Sequence, residues 1–476
     1  MKRLGPALIP FVFTEVVFLA LFTLFVHVLV PYAFWNFIIS EIVVYSFAKF
    51  IYTRFTNAHT IGFSVLLVTA YIMFVCTALN TASYCETSTL YAPVLNNEDA
   101  SKFYESAKFI LRNNWDVPVQ YYYGFPYLIS ALWAFTGVNI ISPLLLNVFM
   151  TLMAVCMSAL IASRIFTNLP NNQRAFISSI TMLCTASVSF YIGCGTVLLK
   201  EPMVYLGVEL AIFSIIGLNE RNQTRIRTTK DMILFVIAVA MLFLTRHGAI
   251  LLMLVGILFF VRRYNYKRVI ALMVIGIAGL FATYTIVNNT GERDEDIITG
   301  THLESADYLS DNADGTRKAF NRSMEGYFTF PVWKKTAYLP YTASVQYFIP
   351  FYWTRHNSTP YGQAQVYSHF GFFWYVVGGL ALFFIIFGHK IKTTPKGLVL
   401  LMLIGIVGYI IPAYLFAGSV SRYWLPFTPI YATAAAWVVY SAKEDRNIRN
   451  MLKKFMIVYV PLVALVLISC YVITTA

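Results

Sequence analysis

The chain has 476 residues, of which 58% are hydrophobic and only 12% are Asp, Glu, Lys or Arg. Soluble globular domains carry about 25% charged residues, so this composition excludes a soluble enzyme, a disordered chain and a collagen-like or coiled-coil fibre. Apolar runs recur from one end of the sequence to the other. The pattern predicts an all-α integral membrane protein, with residues 1–476 forming a single polytopic membrane domain.

Basic residues outnumber acidic residues by 35 to 22. This excess does not indicate a nucleic-acid partner, because most of the basic residues lie in short segments between apolar runs. Segments rich in basic residues alternate along the chain with segments that contain few of them. The short turns on the opposite side hold only Lys200, Arg246 and Arg422. The positive-inside rule therefore places the N-terminus in the cytoplasm and these three residues on the extracytoplasmic face.

A window of about 20 residues, the length that crosses the hydrocarbon core, predicts about thirteen transmembrane helices. They lie at residues 8–30, 33–52, 61–80, 138–163, 175–198, 202–218, 232–245, 248–261, 269–287, 370–388, 397–417, 423–440 and 456–473. The seventh and eighth are short and separated only by Arg246-His247-Gly248, so a single bent element remains the alternative there.

The first of two long outer loops covers residues 81–137. Asn96 or Asn97 is suited to cap a helix, and Glu98 and Asp99 fall in its first turn, where the helix dipole favours negative charge. Apolar residues then follow at helical spacing, at Phe103, Ala107, Ile110 and Leu111. This pattern predicts an amphipathic helix in the membrane interface, and a second one from Phe125 to Phe135.

Three short outer turns place ionisable or hydrogen-bonding side chains at apolar junctions. The pairs are Lys200 and Glu201, Arg246 and His247, and Arg422 and Tyr423. A charge at such a junction is costly unless it is paired, which makes each turn a functional hypothesis. The alternative is that these side chains extend to lipid headgroups. Within the predicted spans, Glu15, Glu41 and Glu209 are expected to hydrogen-bond to neighbouring helices.

The second long outer loop covers residues 288–369. Its acidic beginning is a candidate for binding a divalent cation, with a solvated loop as the alternative; the acids are Glu292, Asp294, Glu295, Asp296, Glu304, Asp307, Asp311 and Asp314. Its aromatic end is suited either to cover an acceptor or to lie in the membrane interface. The sequence contains no metal-ligand spacing of Cys or His, so no metal site is expected elsewhere.

The ordered set of outer segments resembles the GT-C superfamily of membrane glycosyltransferases, in particular its protein O-mannosyltransferase and aminoarabinose-transferase branch. The matching segments are NNEDASKFYESAKFIL, GFPYLISALWAFTGVNIISPLLLNVFMTLMAVCMSALIASRIF, LLKEPMVYLGVEL, TRHGAILLML and SRYWLPFTPIYATAAAW. One departure is that the carboxylate loop follows the third predicted span here, whereas the family usually has it after the first.

The resemblance implies a transferase that takes a sugar from a polyprenyl-phosphate carrier and gives it to a glycan, lipid or protein acceptor outside the membrane. It implies that Asp99, with Glu98 as the alternative, acts as general base or positions the acceptor, and that Lys200, Arg246 and Arg422 bind the lipid phosphate. Glu201, His247 and Tyr423 would support them. The reaction would invert the anomeric centre, and the expected location is the inner or plasma membrane of a bacterium.

Two other functions remain open on the sequence. A polysaccharide polymerase or ligase would also use outer cations, with a diphosphate-linked glycan as its donor. A transporter or flippase of lipid-linked sugars would need no chemistry, but it would place ionisable groups at the bilayer midplane. A scaffold subunit of an envelope complex is a further alternative.

Overall fold

A computed structural model describes residues 98–113, 124–219, 224–245, 330–348, 371–415 and 423–475, together with the single positions Thr69, Met73, Val274 and Tyr327. All regular elements in these ranges are helical. In chain order they are α1 Glu98–Arg112, α2 Gly124–Thr136, α3 Ile141–Ile165, α4 Asn171–Ala186, α5 Ser189–Cys194, α6 Glu201–Leu218, α7 Arg225–Thr245, α8 Val332–Phe348, α9 Phe373–Phe387, α10 Lys396–Leu415, α11 Thr428–Glu444 and α12 Arg446–Thr475. Short 3₁₀ turns, Gly388–Lys390 and Leu425–Phe427, follow α9 and precede α11.

Six helices of the described ranges are long and apolar enough to cross a membrane: α3, α6, α7, α9, α10 and α12. They match six of the predicted spans and support an integral membrane protein. Two of them begin earlier than predicted, α7 at Arg225 and α12 at Arg446. The hydropathy window detects only the apolar part of a helix, whereas backbone hydrogen bonding continues into the charged first turns.

Two further predicted spans differ from the structure. The span 175–198 is divided into α4 and α5 by Ser187 and Val188, and the span 423–440 begins with the 3₁₀ turn Leu425–Phe427 before α11. Four spans, 8–30, 33–52, 248–261 and 269–287, lie outside the described residues, except for Val274. Of the span 61–80, only Thr69 and Met73 are described, and both are helical. The total of thirteen stays a prediction.

One end of the bundle is defined by Arg164, near the end of α3. Its guanidinium donates to Asp231 in α7 at 2.9 Å and to the carbonyl of Phe213 in α6 at 2.8 Å. The last turns of α3 and α6 and the first turns of α7 therefore meet at this Arg164 end. The beginnings of α3 and α6 lie at the opposite end, which we call the Lys200 end.

Helix α11 packs against α3, α4, α9, α10 and α12. Near the Arg164 end, the ring of Trp437 stacks on Phe166 with centroids 4.9 Å apart, and its indole N–H donates to Thr394 Oγ1 at 3.2 Å. Lys443 Nζ lies 4.8 Å from the ring centroid of Phe176. In the described ranges, Arg164, Lys443 and the segment around Thr394 thus lie at one end, and the cytoplasmic orientation of that end stays a prediction.

Helix α8 lies within the predicted second loop and packs on α10. The hydroxyl of Tyr409 donates to the carbonyl of Ala343 at 2.9 Å, and the amide of Gln346 donates to the carbonyl of Tyr409 at 2.8 Å. Upstream, Tyr327 donates to the carbonyl of Tyr414 at 2.7 Å. Burial raises the pKa of Tyr327 to about 12, so the hydroxyl keeps the proton that this bond requires. The loop is therefore partly helical and attached to the bundle.

Candidate functional site

Helices α1 and α2 pack against each other at the Lys200 end through aromatic contacts and a side-chain hydrogen bond. The ring centroids of Phe103 and Phe125 are 5.3 Å apart, and those of Tyr104 and Trp133 are 5.1 Å apart. Ser130 Oγ donates to the carbonyl of Ala107 at 2.8 Å. The predicted apolar face of α1 is present, since Phe103, Ala107 and Ile110 are buried and Leu111 is half-buried, although Phe109 is exposed.

Lys200 lies directly before α6 and is only 4% exposed. Its Nζ is 5.7 Å from the ring centroid of Phe103 in α1. Glu201, the first residue of α6, is completely buried. The structure thus brings the Lys200 turn and the first-loop helix together, although they are about a hundred residues apart in sequence.

The beginning of α2 contacts the end of α7. A Cβ on Gly124 would lie 2.1 Å from the carbonyl oxygen of Leu244, so the two backbones touch. Arg246 and His247 follow α7 directly and lie outside the described residues.

The segment that precedes α11 also joins this region. Tyr423 is half-buried, Trp424 is buried, and the turn Leu425–Phe427 packs on α6. Arg422 comes directly before Tyr423 and lies outside the described residues. Glu98 and Asp99 are described only as the backbone of the first turn of α1. Of the predicted site residues, the side chains of Lys200, Glu201 and Tyr423 are therefore the ones that the structure describes.

Metal binding finds no support in the described ranges, where no three His, Cys, Asp or Glu side chains are close enough to hold an ion. The acidic stretch of the second loop lies outside those ranges. Glu209, by contrast, is placed as predicted: it is buried in α6 and accepts a hydrogen bond from the hydroxyl of Tyr191 in α5. This contact confirms helix–helix bonding for Glu209, whereas Glu15 and Glu41 are not described.

A cavity of about 450 Å³ lies among α8, α9, α10, α11 and α12, and no pattern in the sequence predicts it. Its polar atoms are engaged with the protein: Tyr409 donates to Ala343, Tyr431 donates to Gly405, Tyr459 donates to Tyr375, and Tyr347 bonds to Tyr459. The remaining wall is apolar, and its lining residues Leu382, Ile385, Ile410 and Leu462 are also exposed on the outside of the bundle. The cavity therefore opens sideways, between helices that can cross the membrane.

No protein-family model and no curated protein matches the sequence. Among solved structures, ArnT from Cupriavidus metallidurans bound to undecaprenyl phosphate matches 80% of this chain and 59% of its own, at 13% identity and a TM-score of 0.50. The archaeal oligosaccharyltransferase AglB from Archaeoglobus fulgidus, in complex with an inhibitory peptide and a dolichol-phosphate, matches 87% of this chain and 55% of its own, at 14% identity and a TM-score of 0.45.

The chain thus spans less than two thirds of the length of either structure. The likeness to ArnT is a likeness of fold, and it agrees with the resemblance drawn from the order of the outer segments. The chain therefore has a fold similar to that of ArnT over 80% of its length.

Proposed function

We propose that this protein is a membrane glycosyltransferase that moves a sugar from a polyprenyl-phosphate carrier to an acceptor at the Lys200 end, on the extracytoplasmic face. The observation that carries the proposal is the buried Lys200 beside Phe103, at the junction of α6 with the first-loop helix. A lipid phosphate that arrives from the bilayer would bring the opposite charge to this junction, and ionisable side chains at such depths often mark substrate pathways.

The beginning of α6 adds to the attraction for a phosphate. The N-terminus of a helix carries roughly half a positive charge, and Lys200 contributes a full charge at the same point. Both act in a buried setting, where electrostatic interactions are stronger than in water. Arg246 and Arg422 are proposed as further phosphate ligands, because they follow α7 and precede Tyr423, two segments that reach this end.

The register of α1 favours Asp99 over Glu98 as the acid of the site. Asp99 comes four residues before Phe103, so both positions lie on the same side of the helix, about 6 Å apart along its axis. Glu98 falls roughly 100° further round, away from the buried stripe of α1. We therefore assign the proton-accepting role to Asp99.

The cavity among α8 to α12 suits the hydrocarbon tail of the donor. Its wall is apolar and it opens between membrane-crossing helices, so a polyprenyl chain can enter from the bilayer. Trp374 in its wall is 4.4 Å, centroid to centroid, from Trp424, which precedes the turn that packs on α6. The contact between Trp374 and Trp424 therefore joins the wall of the cavity to the segment before α11, which lies at the Lys200 end.

The reaction follows from these parts. The acceptor oxygen or nitrogen forms a bond to the anomeric carbon while the bond from that carbon to the phosphate oxygen breaks. The electron pair leaves with the lipid phosphate, whose charge the cations stabilise. The acceptor proton passes to the carboxylate of Asp99. Because the bond to the acceptor forms as the bond to the phosphate breaks, in a single displacement, the acceptor attacks from the face opposite the leaving group and the anomeric centre is inverted.

Binding of undecaprenyl phosphate, the leaving group of a monophosphate-linked donor, tests the proposal without knowledge of the sugar. Purified protein in nanodiscs should bind it in native mass spectrometry, and a Lys200→Met variant should bind it about tenfold more weakly. Transfer is then measured with a panel of radiolabelled polyprenyl-phosphate sugars. Preference for undecaprenyl diphosphate would instead indicate the polymerase or ligase, and binding with lipid translocation but no transfer would indicate a flippase.

A further inference from the structure

Asn147 connects helix α3 to the segment that leads into Lys200. This residue is completely buried in the second turn of α3, in the middle of an apolar run. Its amide nitrogen donates to the carbonyl of Val197 at 2.6 Å and to the carbonyl of Leu199 at 2.8 Å. One side chain thus satisfies two backbone acceptors in the three residues before Lys200.

The same segment is held closely against α3 one turn further along. A Cβ on Gly195 would lie 2.3 Å from Oγ1 of Thr151, so only a glycine allows this approach. Thr151 lies four residues after Asn147, on the same face of the helix. The two residues together fix residues 195–199 on α3 at two points.

The residue type at position 147 is specific to this task. Buried carbonyls need donors, and the primary amide offers two N–H groups on one short side chain. Aspartate has the same shape but no donor when ionised, and serine has one. The oxygen of the amide, Oδ1, has no hydrogen-bond partner in the described part of the chain, so the donors account for all of its observed bonding.

We propose that Asn147 is a positioning residue that sets the place of Lys200, and through it the affinity for the lipid phosphate. The inference rests on the proposed function, since it takes Lys200 as the phosphate ligand. The carbonyl of Val197 also accepts from the backbone N–H of Leu199 at 2.8 Å, whereas Asn147 is the donor that the structure describes for the carbonyl of Leu199. Leu199 is buried, so without the amide its carbonyl would have to rotate toward another donor, and Lys200, the next residue, would move with it.

The alternative is that Asn147 only stabilises the fold, and a double-mutant cycle separates the two roles. The dissociation constant of undecaprenyl phosphate is measured for the wild type, Asn147→Leu, Lys200→Met and the double variant, with each melting temperature recorded. We expect each single substitution to weaken binding about tenfold. The double variant should bind no more weakly than Lys200→Met, because Asn147 acts through Lys200.

Ser158→Ala provides the matched control, since it removes another buried hydrogen bond of α3, from Ser158 to the carbonyl of Val155 at 2.7 Å, far from residues 195–199. It should lower the melting temperature without changing the dissociation constant. Where Asn147→Leu is not recovered in folded form, Asn147→Ser, which keeps one donor, takes its place in the cycle.

Losses that multiply in the double variant, or an unchanged dissociation constant in Asn147→Leu, would overturn the inference. An unchanged constant in Lys200→Met would overturn it as well, because the residue to be positioned would then have no role. A different result would be the expected coupling between Asn147 and Lys200 in the binding measurements, together with no sugar transfer by the wild type. It would remove the glycosyltransferase proposal and leave Asn147 as the positioning residue of a lipid-phosphate site.

Discussion

Two neighbouring acids, Glu98 and Asp99, begin α1, and their positions are about 100° apart around the helix axis. Asp99→Asn should lower the turnover number by about 10²- to 10⁴-fold, the usual contribution of a general base, with little change in donor binding. The variant keeps the shape of the side chain and its capacity to bond at a helix start, so the protein should fold. Turnover is measured in proteoliposomes with the donor that the panel identifies.

Glu98→Gln is the control for this substitution, because it removes an adjacent charge from the same helix turn. It should retain most of the wild-type turnover. Loss of activity in Glu98→Gln with normal activity in Asp99→Asn would reverse the assignment, and normal activity in both would remove the acid from the site.

Lys200 is the second test at this scale, and a lysine of α1 supplies its control. Lys200→Met keeps the length of the side chain but removes its charge, so the Michaelis constant for the donor should rise about tenfold or more. Lys102→Met changes an exposed lysine of α1. Lys102→Met should behave as the wild type, because charges on the surface contribute little. Equal effects of both substitutions would indicate a general effect of surface charge.

The two residues that hold this site differ in how far the sequence could predict them. Lys200 is evident because a charge interrupts an apolar run. Asn147 is not, because a single Asn within an apolar helix is compatible with many contacts. Its partners are backbone carbonyls some fifty residues away, and because every residue has a carbonyl, the sequence does not show which one is bound.

At the scale of elements, the contact between α2 and α7 depends on one missing side chain. Gly124→Ala would place a Cβ 2.1 Å from the carbonyl oxygen of Leu244, and a backbone atom cannot move away as a side chain can. We expect a loss of about 1–3 kcal/mol in stability, together with lower transfer activity, because the end of α7 leads into Arg246. Thermal unfolding in detergent and turnover in proteoliposomes measure the two effects.

Gly397→Ala is the matched control in α10, where a new Cβ meets no atom within 4 Å. It should leave activity unchanged and stability unchanged or raised by about 0.5–1 kcal/mol, since alanine favours helix over glycine. Equal melting temperatures and activities for both variants would show that α2 and α7 do not touch as described.

The sequence predicted the helices α1 and α2 well, because apolar residues that recur with the 3.6-residue period of a helix are a local property of the sequence. Helix α8 was missed for two reasons: Pro340 lies in its interior, and its aromatic composition is typical of a membrane interface. What holds α8 as a helix on α10 are bonds to Tyr409, which lies more than sixty residues further along the chain.

At the scale of the whole molecule, the positive-inside rule let the sequence predict that Arg164 and Lys443 lie on the same side, and in the described ranges both are found at the Arg164 end. The cavity could not be predicted from the sequence in this way. Five helices from residues 332 to 475 contribute to its wall, and each contributes residues that are ordinary in any apolar helix. Its shape depends on how the helices are arranged, which hydropathy does not encode.

Filling the cavity is the test at the scale of the whole molecule. Ala381 lies in its wall, so Ala381→Phe should occupy space that the donor tail requires and weaken binding of undecaprenyl phosphate about tenfold. Ile457→Phe adds a ring on α12 at a position that is 70% exposed and outside the cavity, and it should leave binding unchanged. Binding is compared with that of a phosphate carrying a short prenyl chain, which does not reach the cavity and should be equally weak in all three proteins. Equal affinity of Ala381→Phe and the wild type for undecaprenyl phosphate would separate the cavity from the donor and leave the Lys200 end to bind the headgroup alone.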